Sequence, residues 1–189
     1  MTATLPAPRR SAAPALRFEY ASLGYGPATV LRDVHGAVPT GQTLALIGPN
    51  GAGKTTLIKA ALGLVSVISG SVTVCGKPPA AARRRTAYVP QADTLDAEFP
   101  VTVGQVVLMG RYRAAGWLRR PGRQDREIAA EALNVVGLTE RARDRFGTLS
   151  GGQRQRVLLA RAIAQRAELL LLGSVRRIMV GATIGWLRL

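Results

Sequence analysis

Short apolar runs, broken by turn-forming residues, mark the first half of the chain. LRFEYASLGYG, residues 16–26, alternates in part and ends in turn residues, which predicts a strand and a loop. ATVLRDVHGAV, residues 28–38, predicts a second strand, and PTG after it a turn. TLALIG, Thr43 to Gly48, is an unbroken apolar run, the pattern of a buried parallel strand. GPNGAGKTT follows, then TLIKAALGL with apolar residues at helical spacing. SGSVTVCGKP, residues 69–78, predicts a short strand between turns, and RRRTAYVPQ a strand entering a loop at Pro90 and Gln91. From about Val101 to Gly147 the period becomes helical, most clearly in TVGQVVLMGRY and QDREIAAEALNVVGL, with GWLRRPGR as the loop between them. LSGGQRQRVLLARAIAQRAELLLL then predicts a Gly-rich turn, an amphipathic helix and a strand. There is no internal repeat. Strand–helix alternation predicts an α/β fold with a mainly parallel sheet.

Composition changes this picture little. The 189 residues suit one domain with an inserted subdomain, and 47% hydrophobic with 20% charged residues is ordinary for a globular chain. Cys75 is the only cysteine, so no intrachain disulfide forms. The formal charge of +15 has two readings: an anionic partner, or a general preference for arginine, since Lys54, Lys59 and Lys77 are the only lysines. No apolar run is long enough to span a bilayer. The proline-broken start, residues 1–15, lacks a continuous apolar core and reads as a disordered arm rather than a signal peptide.

The chemistry sits in two glycine-rich stretches. Gly48 to Thr55 matches G-x-x-x-x-G-K-T with a strand before it and a helix after it, the context that defines a phosphate-binding P-loop. Gly51 and Gly53 let the backbone curl so that successive N–H groups point at phosphate oxygens. The helix start adds its positive end. Lys54 reaches the β- and γ-phosphates, and the Thr55 hydroxyl is placed for magnesium. LSGGQ, Leu149 to Gln153, is a weaker signal on its own: Ser150 is a candidate helix N-cap, and two glycines expose backbone N–H groups.

Together these two motifs resemble the nucleotide-binding subunit of ABC transporters, over about residues 16–172. The resemblance implies a P-loop NTPase of the ABC ATPase type, with a helical subdomain at about residues 100–150. It implies ATP and magnesium as cofactors, with Gly48, Pro49, Asn50, Gly51, Ala52, Gly53, Lys54, Thr55 and Thr56 around the phosphates. Ser150, Gly151, Gly152 and Gln153 would bind the γ-phosphate of an ATP held by a second subunit, in a head-to-tail dimer. Tyr25 falls where the family stacks an aromatic on adenine. Gln91 matches the family's Q-loop glutamine, which senses magnesium and the attacking water and touches the membrane permease. FPVTVGQVVLMGRYRAAGWLRRPGR is similar to the helical subdomain of zinc and manganese importer ATPases. The implied location is peripheral, on the cytoplasmic face of the plasma membrane.

The resemblance breaks after the leucine run. The family strand ends in Asp-Glu, which hold magnesium and polarise water; here Gly173 and Ser174 stand in those positions, and no acid comes after them. A family switch histidine should come later, but the only histidine is His35, far upstream, and reads as an ordinary strand or loop residue. Phosphoryl transfer rests on positioning and electrostatic stabilisation. Losing a single polar contributor costs on the order of 10²- to 10³-fold in rate. Very slow hydrolysis is therefore expected, with nucleotide binding less affected.

The expected domain plan is an arm over 1–15, the nucleotide-binding domain over 16–172 and an aberrant tail over 173–189, the family pattern truncated or frame-disrupted after the leucine strand. In the family, the following strand lies between the P-loop strand and the leucine strand, so the sheet is expected to be incomplete there. RRIMVGATIG is available to fill the gap, but Gly173 to Arg177 is too short for a parallel crossover of about a dozen residues or more. An antiparallel placement or a frayed tail remains open, and exposed apolar surface is expected. The leading functional reading is an ATP-binding subunit of a metal-ion importer. The alternative is a non-catalytic regulator that binds nucleotide, or that pairs with an intact ATPase subunit and poisons it. A nucleic-acid binder, using Arg83 to Arg85 and Arg119 to Arg123, is disfavoured by the 5% aromatic content and the lack of a familiar motif.

Overall fold

The computed structural model describes residues 13–90, 100–115, 120–173 and 177–182. Strands β1 (Leu16–Tyr25), β2 (Ala28–Val38) and β4 (Ser66–Val74) form one antiparallel sheet in the order β2-β1-β4. A second sheet has the order β3-β7-β6-β5, with β3 (Thr43–Ile47), β5 (Thr86–Val89), β6 (Leu169–Gly173) and β7 (Arg177–Ala182). Helix α1 (Lys54–Ala61) follows β3, and the short α2 (Pro79–Ala82) precedes β5. Helices α3 (Val103–Leu108), α4 (Tyr112–Ala115), α5 (Arg123–Val135) and α6 (Gly151–Ala164) lie between β5 and β6.

The leucine run explains the core. Successive side chains of a strand point to opposite faces. In β6, Leu169 and Leu171 belong to the cluster that joins β1, β4 and α1, while Leu170 belongs to the cluster that joins α3, α5 and α6. A strand buried on both faces has no position where a polar residue is tolerated, which is why four leucines stand in a row. Arg111 ties the helices together. It donates to Asp125 at the start of α5 (2.9 Å) and to the carbonyl of Ala164 at the end of α6 (3.0 Å). On the far side, Arg85 forks onto both carboxylate oxygens of Glu168 and pins the start of β5 to the start of β6.

Three expectations change. The sheet gap is filled: β7 lies between β3 and β6, antiparallel to both, with Leu44 and Leu171 opposite Val180 on its two sides. Of the two placements left open, the antiparallel one is adopted, because so short a link permits only a reversal. Second, the sheet is less parallel than the alternation predicted. Among the described residues, only β5 and β6 pair in parallel. Yet β3 and β6 are both antiparallel to β7 and so point the same way; one inserted strand accounts for both antiparallel ladders. Third, β3 is not buried. It sits at the edge of its sheet, and Leu44 and Ile47 are 43% and 74% exposed. An apolar run specifies a strand that requires cover on two sides, and here the described residues supply it on one. This is part of the exposed apolar surface that the sequence led us to expect.

β4 also begins earlier than predicted, at Ser66, because the β-branched residues Val67 and Ile68 extend it. Gly70 then passes β1 at a bulge with φ +72°. A Cβ there would lie 2.3 Å from the carbonyl oxygens of Glu19 and Tyr20. Residues 1–12 of the expected arm, 116–119 of the helical region and 174–176 and 183–189 of the tail lie outside the described residues.

β7 and the Arg85 fork can each be tested. Every N–H of a central strand points at one neighbour or the other, so Val180→Pro removes a ladder bond and leaves a carbonyl unpaired. It should lower stability by about 1–3 kcal/mol in urea unfolding; an unchanged midpoint would mean that β7 is not part of the sheet. Hydrogen bonds from Arg85 hold the Glu168 carboxyl below the usual glutamate range, against a smaller upward push from burial. The stabilisation is complete above that range and is lost as pH falls through the lowered value. Glu168→Gln should therefore be less stable at neutral pH and flatten the acid limb of a pH–stability profile.

Candidate functional site

The P-loop is built by a strand, two left-handed glycines and a helix start. β3 delivers the chain to Gly48, and Gly51 and Gly53 adopt φ of +85° and +82°. Gly53 is needed twice over. Besides its φ, a Cβ there would meet the Leu31 side chain at 2.5 Å, so β2 backs the loop directly. At Gly51 a Cβ would meet nothing within 4 Å, so only the backbone conformation excludes other residues and that side of the loop is open. Gly53 is also the N-cap of α1, with no side-chain cap and no acid in the first turn. The helix therefore begins with N–H groups that no side chain caps and a positive dipole end, the arrangement that attracts phosphate.

Lys54 completes the cradle. Its Nζ donates to the carbonyl oxygens of Gly48 and Pro49, each at 2.6 Å, and so lies over the loop. Both acceptors are neutral. A phosphate oxygen replacing one of them makes a charge-assisted bond, which is shorter and stronger. Thr55 is exposed at the helix start and Thr56 is buried; Pro49, Asn50 and Ala52 are exposed on the loop. These residues fit a polyphosphate. For magnesium the fit is thinner: the Thr55 hydroxyl is available, but the described residues hold no cluster of three or more His, Cys, Asp or Glu, and Gly173 closes β6 without a side chain.

The second motif caps a helix as its residues predict. Ser150 is the N-cap of α6; its Oγ accepts from the Gln153 amide at 3.3 Å, and the Gln153 Oε1 accepts from the Ser150 amide at 2.9 Å. This reciprocal pair is a capping box. It rigidifies the turn and leaves Gly151 and Gly152 exposed, with nothing within 4 Å of where a Cβ would stand. Thr102 and Gln105 form the same device at the start of α3.

Tyr25 ends β1, 44% exposed, and the Lys59 ammonium from α1 lies 5.3 Å from its ring centroid. The ring is thus placed beside the helix that carries Lys54. Gln91 lies outside the described residues, as does Ser174. His35 is a β2 residue whose ring stacks on Tyr20, with centroids 5.6 Å apart. Sequence reasoning missed Leu31 and Lys59 as supports of the loop and of Tyr25. Both act through contacts between distant parts of the chain, which no local pattern announces.

The chain is similar to known proteins over most of its length. The ABC transporter family model matches residues 31–173. The zinc transport system ATP-binding protein TroB of Treponema pallidum is 48% identical over 155 residues, covering 82% of this chain and 58% of TroB. The manganese transport system ATP-binding protein MntB of Bacillus subtilis is 47% identical over 148 residues, covering 78% of this chain and 59% of MntB. An inward-facing structure of a metal-chelate type ABC transporter superposes with a TM-score of 0.72 at 34% identity, covering 84% of this chain and 59% of that one. The chain thus spans under two thirds of the length of these relatives. With its mixed α/β fold, its P-loop and its capped LSGGQ turn, the chain belongs to the ABC transporter family and is similar to the ATP-binding proteins of zinc and manganese transport systems.

Proposed function

We propose that this chain binds ATP through Gly48–Thr56 and serves as the nucleotide-binding subunit of a metal-ion importer, with little hydrolysis of its own. One observation carries the binding claim: Lys54 and the left-handed Gly51 and Gly53 converge on the start of α1, which has no side-chain cap. When bound, magnesium supplies charge neutralisation between phosphates. The chain's own contribution is to orient the phosphates with backbone N–H groups, draw them with Lys54 and offer the Thr55 hydroxyl to the metal. Tyr25, beside α1, offers its face to the base.

The metal cargo is suggested by the zinc and manganese transport systems to which TroB and MntB belong, and by the similarity of the α3–α5 region to such importers. A second ATPase subunit would complete each site with its Ser150–Gln153 turn, whose glycines are exposed. No helix among the described residues is long and apolar enough to cross a membrane, and this reading places the chain on a permease at the inner face. Gln91 is assigned to the permease side and to magnesium sensing. Slow hydrolysis is expected because Gly173 and Ser174 carry no carboxylate where the family uses two.

A thermal-shift titration with Mg-ATP checks the claim. At a hundredfold excess over Kd, binding adds about 2.7 kcal/mol. For a chain of this size that is a rise in Tm of roughly 5–10 °C. Lys54→Ala should weaken binding about ten- to hundredfold, the worth of a hydrogen bond to a charged group. No shift at millimolar ATP, or an equal shift in the variant, contradicts the reading.

A further inference from the structure

Lys59 takes no part in the phosphate cradle, yet it stands on the helix that carries Lys54. Five residues of α-helix place it about 7–8 Å further along the axis. Its backbone is fixed where α1 ends. Gly63, at φ +67°, closes the helix: its amide donates to the Ala60 carbonyl at 2.9 Å, and the Leu64 amide donates to the Lys59 carbonyl at 2.8 Å. Those carbonyls are satisfied without a side chain. The half-buried Lys59 side chain instead sets its ammonium over the Tyr25 ring, 5.3 Å from the centroid, within the range of a cation–π contact. Among the described residues, no oxygen accepts a hydrogen bond from its Nζ.

The backbone of Tyr25 is pinned from the sheet. Tyr25 pairs with Ala28 across the two-residue turn Gly26-Pro27, and Gly24 before it pairs with Ser66 of β4. What stays free is rotation of the side chain. An aromatic at a hairpin end, 44% exposed, has several staggered orientations open to it. A cation resting on one face of the ring selects among them.

We infer that Lys59 is a positioning residue for the nucleobase: it holds the Tyr25 ring by one face, so that a purine stacks on the other. This rests on the proposal that Gly48–Thr56 binds ATP, and adds a residue that secures the base without touching the phosphates. The ammonium draws π-electron density toward its own face, which favours an electron-rich purine on the opposite one. One helix then carries both grips, Lys54 for the phosphates and Lys59, through Tyr25, for the base.

The test compares ATP with inorganic tripolyphosphate, each with magnesium, by titration calorimetry on the whole chain. Tripolyphosphate has the phosphates and no base, so the intact chain should bind ATP more tightly. Lys59→Met keeps most of the stem and removes the charge. It should weaken ATP binding about two- to fivefold, the worth of an exposed cation–π contact, and leave tripolyphosphate unchanged. Lys59→Arg should restore the preference for ATP. Tyr25→Leu removes the stacking face and should weaken ATP binding about five- to a hundredfold. In that background Lys59→Met should have no further effect. If Lys59→Met fails to fold by circular dichroism, Lys59→Gln makes the same test. An unchanged preference for ATP in Lys59→Met overturns the inference. So does an equal loss for both ligands, which makes Lys59 a general attractor of phosphate, or a loss that persists in Tyr25→Leu, which makes it a direct contact of the base. If the intact chain binds neither ligand, the proposed ATP binding itself fails; if it binds both equally, the phosphate cradle stands and this inference falls.

Discussion

Burial of β6 on both faces is the constraint on which the rest depends. Leu169 and Leu171 look into the core shared by β1, β4 and α1, and Leu170 into the core shared by α3, α5 and α6. One strand therefore joins the nucleotide-binding layer to the helical layer. Its position is set by pairing on both sides, with β5 in parallel and β7 in antiparallel. The loop that carries Lys54 is held at one remove. β3 reaches β6 only through β7, and Leu31 of β2 backs Gly53.

β7 thus holds the place between β3 and β6. A strand at this place has to satisfy the backbone of β3 and of β6 at once, since an unpaired buried amide is costly. Direction is secondary to that requirement. Hydrogen-bonding groups are matched by either orientation, and the short link after Gly173 selects the reversal. The difference lies in the chemistry at the strand's end. In the family, the leucine strand ends in two acids; here Gly173 closes it, and its backbone pairs with Ile178. The sheet is completed without an acid at the end of this strand, and the proposed separation of phosphate binding from hydrolysis rests on that difference.

The features legible in the sequence were local ones. The P-loop, the Ser150–Gln153 box and the helical periods of α5 and α6 depend on neighbours within a few residues, and they stand where the pattern placed them. The apolar run of β3 announced a strand, but its burial depends on what lies beside it, and the described residues cover one side only. β7 was legible only as a choice between two placements, because strand pairing is decided by distant residues. Leu31 behind Gly53 and Lys59 over Tyr25 left no trace in the local pattern.

The central claim is that the P-loop remains a working phosphate cradle in a sheet completed by β7. Amide hydrogen exchange with and without Mg-ATP tests it most directly. The account predicts slowed exchange at the amides of Gly51 to Thr56 and little change at Gly151 and Gly152 in the isolated subunit. Unchanged exchange across Gly48 to Thr56 at saturating nucleotide would contradict it.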